Sequence, residues 1–381
     1  MKLLVYNPEH DYALADGGPN FVALKSAAQF AFDCAPFMRY LFEDENALFP
    51  TYRYEKGEFR KMYKSSERYA SVTEIVPWGW DAAVAQQLRR AGVPENLLPD
   101  DRRLQLWRDL AHRKTSSQAL DFLREHHPEP GSIPESPRYL TSVQEVEDFV
   151  KTHPDAIFKS PYSGNGRGHL YVHGNTNPTF LRQCTGVIKR QGGIMAEKQY
   201  TVVQDFAMEF SCTIGDVNFR GYSLFKTQHY GYGGNLLMPD EEILRFLSPY
   251  INVDRILAMK ECILDYLKRN IAPYYEGDIG VDMFVYQEDG KMKWHPFVEM
   301  NMRKTMGLAA HDIYAKYCHP QARGIFEILY EPRYGKLKKE LGNQRNQSPL
   351  KLEDGLWRSG TVVLNPVTEA TQYAVVVRLD A

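Results

Sequence analysis

The chain has 381 residues, with 46 Lys and Arg against 48 Asp and Glu and a formal net charge of −2. That length suits two or three domains, and the near-neutral balance gives no bulk electrostatic reason to expect a nucleic-acid partner. No apolar run approaches the ~20 residues needed to cross a bilayer, so a membrane is not an expected partner either. Cys34, Cys184, Cys212, Cys262 and Cys318 are scattered, odd in number and without metal-ligand spacing. Such thiols fit a reduced state and a cytoplasmic setting.

The first part of the chain reads as α/β. Lys2–Tyr6 is a strand, too short for a signal peptide, that runs into Asn7-Pro8-Glu9-His10-Asp11. Val72–Val76 is a second strand, followed by Pro77-Trp78-Gly79-Trp80. Asp81 caps the next helix, Val84 and Leu88 mark its buried side, and Gly92 ends it. Arg102–His112 continues as a helix. Ligands of open α/β sheets bind beyond the carboxyl ends of strands, which makes His10 and Asp11, with Trp78–Asp81, candidate acceptor-substrate contacts. The plainer reading is a turn and two tryptophans that fill a domain interface. Residues 43–70 are charged and Tyr-rich and read as helix or loop.

A new segment starts near Lys114. Thr115–Ser117 caps a helix through Glu125, and Ser142 with Glu145 forms a capping box for a helix to Lys151. Ala156–Lys159 and His169–Val172 read as partner strands, Asn177-Pro178 opens a further helix, and Ile194–Glu197 is a strand. Between the partner strands, Gly164, Gly166 and Gly168 alternate with Asn165 and Arg167. Such glycines let backbone approach a ligand closely, consecutive N–H groups cup an anion, and arginine adds a fork suited to phosphate. The order matches neither a P-loop nor a dinucleotide fingerprint, and a flexible turn is the bland alternative. Lys159 stands at the strand end before this loop. Lys114 stands before a helix start, where the helix dipole attracts anions.

A hairpin over Gln204–Gln228 turns at Gly215-Asp216. Phe206, Met208, Phe210, Cys212, Phe219 and Phe225 share its apolar face, and Asp205, Glu209, Arg220 and Lys226 the opposite one. Gly231–Asn235 reads as a surface turn, with a substrate-side loop as the alternative, and Asp254–Lys268 as a long helix. Val281–Arg303 is the most informative stretch: two alternating runs meet at Asp289-Gly290, a strong two-residue turn signal. The turn sets Gln287 opposite Met292, Val285 opposite Trp294 and Asp282 opposite Phe297. Val281, Met283, Val285, Trp294, Val298 and Met300 then form a core face. Asp282, Glu299 and Asn301 share the other, with Glu299 diagonal to Asp282 at about 7–8 Å. Like charges so placed repel unless a cation or water compensates. Magnesium takes such oxygens, commonly one or two carboxylates plus substrate phosphates. A solvated outer face is the alternative, although Phe284, Tyr286 and Phe297 on the same face argue for a covered cleft. Two helices are expected over about 308–330, a polar linker over 334–351, and a terminal hairpin of Gly360–Leu364 with Tyr373–Leu379.

In this order, Lys114, Lys159 with Gly164–Gly168, Glu197–Tyr200, Asp205, Asp282 and the run Glu299–Arg303 resemble the ATP-grasp superfamily over roughly residues 110–310. The resemblance implies two α+β subdomains, 111–200 with the glycine lid and 201–333 with the metal site, that clasp ATP. A small α/β domain over 1–110 would precede them, and a linker and hairpin over 334–381 would follow. Lys114 and Lys159 would contact phosphates under a lid of Gly164, Gly166, Arg167 and Gly168. Glu197, Lys198, Gln199 and Tyr200 would hold the adenine edge. Asp205 would take the ribose hydroxyls, although the family more often has Glu there and a cross-strand salt bridge to Lys226 is the alternative. Asp282, Glu299 and Asn301 would bind Mg2+ (or Mn2+), Arg303 would steady the transferring phosphoryl group or the acceptor, and Lys226 would reach phosphate. The implied activity is an ATP- and Mg2+-dependent ligase that activates a carboxylate as an acyl phosphate for attack by an amine or thiol. A small-molecule kinase on the same scaffold and a non-catalytic ATP-binding protein are the alternatives. Acceptor, nucleophile and oligomeric state stay open.

Overall fold

The computed structural model describes residues 1–380 apart from 43–45, 64–68, 70, 128–132, 165–167 and 229–230. The first part contributes β1 (Lys2–Val5), β2 (Ala47–Phe49), β3 (Tyr52–Glu55), β4 (Glu58–Lys61) and β5 (Glu74–Pro77). β2, β1 and β5 pair in parallel in that order, and β3 with β4 forms a separate hairpin. The helix-or-loop reading of 43–70 is thereby corrected where the segment is described: it carries three short strands.

A second sheet holds β6 (Arg138–Leu140), β7 (Asp155–Lys159), β8 (Leu170–His173) and β9 (Ile194–Lys198), in the order β6-β9-β7-β8. Strand alternation gives it two faces. Ala156, Phe158 and Ala196 are buried with Phe149 and Cys184 of the helices Val143–Thr152 and Pro178–Gln191. Those helices start where the sequence marks them: Ser142 and Glu145 form the capping box, and Asn177 caps the second helix. Ile157, Lys159 and Glu197 lie on the uncovered face.

The third and largest sheet holds β10 (Thr201–Thr213), β11 (Asp216–Gln228), β12 (Gly231–Leu237), β13 (Gly277–Glu288), β14 (Lys291–Asn301), β15 (Gly324–Tyr330), β16 (Lys351–Glu353), β17 (Leu356–Val363) and β18 (Tyr373–Leu379). Among the described residues its order is β14-β13-β10-β11-β12-β15-β18-β17-β16. One face packs Phe206, Met208, Val281, Met283 and Trp294 against Ile256, Met259 and Ile263 of the helix Val253–Asn270. Full burial of such side chains stabilises by about 1.5–3 kcal/mol each. The opposite face of β10, β11, β13 and β14 looks toward the second sheet, and the cleft lies between them.

Several expectations are corrected here. The region 308–330 holds one helix, Met306–Tyr317, and then β15 rather than a second helix. The supposed linker carries the helix Lys336–Gln347, whose Leu337 and Leu341 are buried. Gly231–Asn235 belongs to β12 rather than to a surface turn. The β10–β11 turn is Ile214-Gly215, because Thr213 pairs with Asp216.

Two bulges decide which side chains reach the cleft. In β14, Asp282 pairs with Glu299 but Phe284 with His295, so four residues of β14 span what two of β13 span. Pro296 lies inside that offset, where its missing N–H breaks no ladder bond. Phe297 is consequently buried in the core beside Tyr266, and Val298 lines the cleft. This reverses the expected faces of Phe297 and Val298 and sets Glu299 directly opposite Asp282. In β11, Arg220 is the extra residue between Phe219 and Gly221. Leu224 and Tyr222 therefore turn to the core, and Phe225 to the cleft. Asp205 stands opposite Phe225 rather than Lys226, so the expected cross-strand partner is corrected by one residue.

Candidate active site

A cleft of about 820 Å³ separates the second sheet from the large one. At one end the second sheet supplies Lys159 and Glu197, which form an ion pair within hydrogen-bonding reach and are both largely buried. Adjacent strands explain the pair, since β7 and β9 set Ile157 opposite Glu197 and Lys159 opposite Met195. Gln199 and Tyr200 also line this end. The Tyr200 ring packs edge-on to Tyr286 at 4.6 Å and tilted against Phe284 at 5.5 Å between centroids. Beneath them His295 is fully buried, and burial pushes its imidazole down to about 4, so it is neutral. Neither of its ring nitrogens has a hydrogen-bond partner among the described residues. Lys198 points away, exposed and paired with Glu288. Asp205 and Lys226 line the cleft from β10 and β11.

The other end belongs to the β13–β14 hairpin. Its Asp289-Gly290 turn has positive φ at both residues, 50° and 73°, as a two-residue hairpin turn requires. The ladder brings Asp282 and Glu299 together as a direct cross-strand pair. Burial, the Glu299 charge and the Glu209 charge push the Asp282 carboxyl up to about 8, against Arg303 and a bond from Asn301. Asn301 donates from Nδ2 to Asp282 Oδ2 at 3.0 Å and accepts at Oδ1 from Arg303 Nη2 at 2.9 Å. Arg303 then grips Asp11 with both arms, Nε to Oδ1 and Nη2 to Oδ2, each at 3.0 Å. Burial opposes the Asp11 charge, but this guanidinium outweighs it and holds the carboxyl below its ordinary range.

The donor chemistry fits a divalent metal shared with phosphates: two adjacent carboxylates and a carboxamide, one carboxyl held up by its like-charged neighbour. Among the described residues no three His, Cys, Asp or Glu side chains make a complete protein cage. Magnesium sites of the phosphate-sharing kind do not need one.

Most, but not all, of the expected site residues meet in this cleft. Lys159, Gly164, Glu197, Gln199, Tyr200, Asp205, Lys226, Asp282, Glu299, Asn301 and Arg303 line it. Gly166 and Arg167 lie outside the described residues. Gly164 sits so close to Asp11 that an added Cβ would collide with Asp11 Oδ2, and Gly168 takes a φ of +84°. His10 is 2% exposed and bonded to Asp81 at 3.3 Å, a lock between β1 and β5 that Asn7 completes through Gly79 and Asp81. It reaches only a side cavity of about 20 Å³, shared with Asp11 and Ser163. Lys114 does not line the cleft: it is exposed, with its ammonium 3.5 Å from the Tyr139 ring centroid.

Its neighbour Arg113 is the residue the sequence reading missed. It is 6% exposed and donates to Glu299 Oε2 at 2.6 Å, to Ser160 O at 2.6 Å and to Ser163 Oγ at 2.7 Å. One cation therefore ties the carboxylate hairpin to the first residues of the glycine loop. The basic pair Arg113-Lys114 was the available signal, but spacing does not say which member turns inward.

No family model matches the sequence, and no curated protein matches it by sequence. Solved structures do match the fold. The N5-carboxyaminoimidazole synthetase from Staphylococcus aureus complexed with ADP aligns at TM-score 0.53 and 11% identity, over 100% of this chain and 93% of its own. The corresponding enzyme of Aspergillus clavatus, in complex with ADP and 5-aminoimidazole ribonucleotide, aligns at TM-score 0.51 and 12% identity over 100% and 93%. The biotin carboxylase domain of the Hydrogenobacter thermophilus 2-oxoglutarate carboxylase, in complex with MgADP, ADP and bicarbonate, aligns at TM-score 0.50 and 13% identity over 99% and 86%. At such identities the likeness speaks for architecture. The chain aligns along its whole length with these structures and shares their ATP-grasp fold.

Proposed function

We propose that the protein is an ATP- and Mg2+-dependent ligase that activates a carboxylate as an acyl phosphate for attack by an amine. The observation that carries this reading is the cross-strand pair Asp282–Glu299, closed by Asn301 and lying in one cleft with Lys159 and Tyr200. Proteins of the same fold hold ADP, MgADP and bicarbonate, which supports the class of chemistry without naming this chain's substrate.

Each side chain has a role in the reading. The edge of β9 around Glu197–Tyr200 receives the adenine, with the Tyr200–Phe284–Tyr286 rings as its apolar wall. Asp205 faces the ribose. Lys159 and Arg113 offer cationic donors to the phosphates, with Gly164 beside them in the cleft. Asp282, Glu299 and Asn301 would hold the magnesium, which would supply charge neutralisation to the substrate phosphates. Arg303, braced by Asp11, steadies the transferred phosphoryl group or the carboxylate that receives it. A carboxylate oxygen attacks the γ-phosphorus and ADP departs; the amine nitrogen then attacks the acyl carbon and phosphate departs. The protein contributes position and electrostatics rather than covalent chemistry.

A screen of carboxylates and amines, read as ADP release, tests the proposal. Hydroxylamine added with a productive carboxylate is expected to give a hydroxamate. ADP release with a phosphate ester and no hydroxamate would mean a kinase, and ATP binding without ADP release in every mixture would contradict turnover.

A further inference from the structure

The cleft continues past Asp282 into a polar recess whose residues the proposed function leaves without a role. Its floor is Glu209, 1% exposed yet lining the cleft with Ser223, Asn235, Thr305 and Gly307. The carboxylate is held from both sides by neutral hydroxyls: Ser223 Oγ donates to Oε1 at 3.0 Å and Thr305 Oγ1 to Oε2 at 2.8 Å. Thr305 is itself fixed, because its hydroxyl accepts from Leu308 N at 2.9 Å as the cap of the helix Met306–Tyr317.

Two glycines shape the recess. A Cβ at Gly307 would collide with Glu209 Oε1, and one at Gly280 would lie 3.0 Å from Oε2. The ladder puts Gly280 opposite Glu209 on one side and Gly221 on the other, and the space their side chains would fill is taken by the Thr305 methyl and the His311 ring. The charged groups that face it are Asp278 and Asp282 from β13 and His311 from the helix Met306–Tyr317; no ion pair within 4 Å ties any cation to it among the described residues. A buried carboxylate without a cation is costly, and hydroxyls alone offset only part of that cost.

We propose that Glu209, Ser223 and Thr305 form the subsite for the nucleophile: they hold a primary amine as its ammonium ion, which passes one proton to the Glu209 carboxylate before the free amine attacks the acyl carbon, and the second proton leaves with the departing phosphate. The inference rests on the ligase reading above and names the side of the cleft from which the amine approaches. An anionic group is disfavoured there by the Glu209 carboxylate, and an apolar group would strand it. An ammonium supplies the missing positive charge and three N–H donors, enough to share among the two carboxylate oxygens and a hydroxyl. The recess lies beside the metal residues, since Glu209 and Asp282 are diagonal neighbours across β10 and β13.

The test uses Glu209→Gln in the full chain, with the carboxylate that gives the largest ADP release and ammonium chloride, then methylammonium chloride, as nucleophile probes. Gln keeps an oxygen for one hydroxyl and an amide for the other, and ADP affinity by calorimetry checks the fold. Ser223→Ala is the second variant. The expected result is an amine KM raised on the order of 10²-fold in Glu209→Gln and less in Ser223→Ala. Hydroxamate formation with hydroxylamine, which is neutral at working pH, and the Mg2+ concentration dependence should stay within about threefold, a split that a general structural defect would not give. Unchanged amine KM with intact ADP binding would overturn the subsite. So would a shifted Mg2+ dependence, which would make Glu209 a metal ligand. Absence of hydroxamate from the wild-type protein would instead remove the ligase reading itself, and the subsite with it.

Discussion

The two sheets that face each other across the cleft carry opposite kinds of charge pair. On the small sheet Lys159 and Glu197 neutralise each other, so the charges there are already balanced in the free protein. On the large sheet Asp282 and Glu299 are alike in charge and directly paired, and Asp282 is pushed up to about 8 by burial first and by Glu299 next. The fold tolerates this because Arg113 and Arg303 stand at its flanks. The difference teaches where a ligand is required. The large sheet keeps a like-charged pair that two arginines compensate only from its flanks, which is where the proposed function places the divalent cation.

The largest expected effect comes from breaking the like-charged pair. Glu299→Gln should lower Mg2+-dependent ADP release by at least about 10²–10³-fold, the range seen when one preorganised electrostatic partner is removed. The fold should survive, because the amide oxygen still accepts from Arg113. ADP assays and thermal melts read both, and wild-type turnover would remove Glu299 from the metal site. Next comes the flank. Arg113→Ala strands Glu299 and the carbonyl of Ser160, and should destabilise by about 3 kcal/mol, the low end for breaking a buried pair. Denaturant unfolding measures it; a loss below 1 kcal/mol would show that the tie between hairpin and loop is weak. Lys159→Ala should weaken nucleotide binding about tenfold, roughly 1.4 kcal/mol, and isothermal calorimetry decides.

Two further effects sharpen the contrast. Because the folded Asp282 carboxyl is raised to about 8, it favours the folded state at low pH, and that contribution is lost as pH climbs from its unfolded value near 3.9 through about 8. Glu209, raised to about 7 chiefly by burial, acts in the same direction. The free protein should therefore lose roughly 4 kcal/mol of stability between pH 6 and 9, about two thirds of it from Asp282, and Asp282→Asn should flatten most of that slope. Melts across that range test it, and a slope of the opposite sign would contradict the raised carboxyl. The smallest effect is Lys114→Ala: nucleotide affinity should change less than about twofold, since an exposed cation over one ring contributes about 0.5–1 kcal/mol locally. A tenfold loss would restore the phosphate role that the sequence suggests for it.

Most of the site was legible because strand period and turn chemistry are local. The Asp289-Gly290 turn set the hairpin, and alternation put Asp282, Glu299 and Asn301 on one face. What failed was register beyond a bulge. Pro296 signals that a ladder bond is missing, but not how many residues the strand inserts there, so Phe297 and Val298 came out reversed. The extra residue Arg220 hid the Asp205–Phe225 pairing in the same way. Tertiary packing decided the rest. Arg113 and Lys114 differ only in which one the helix start turns inward, and β15 was read as helix because its apolar residues fit either period. The lid glycines Gly164 and Gly168 fall where the loop requires close approach and positive φ, while Gly166 and Arg167 lie outside the described residues.

The most direct measurement is calorimetric titration of a non-hydrolysable ATP analogue into the wild-type protein and Glu299→Gln, with and without Mg2+. The account expects Mg2+ to tighten binding at least about tenfold in the wild type, by about 1.4 kcal/mol, and to lose that effect in the variant. Equal affinity in the wild type with and without Mg2+ would contradict it.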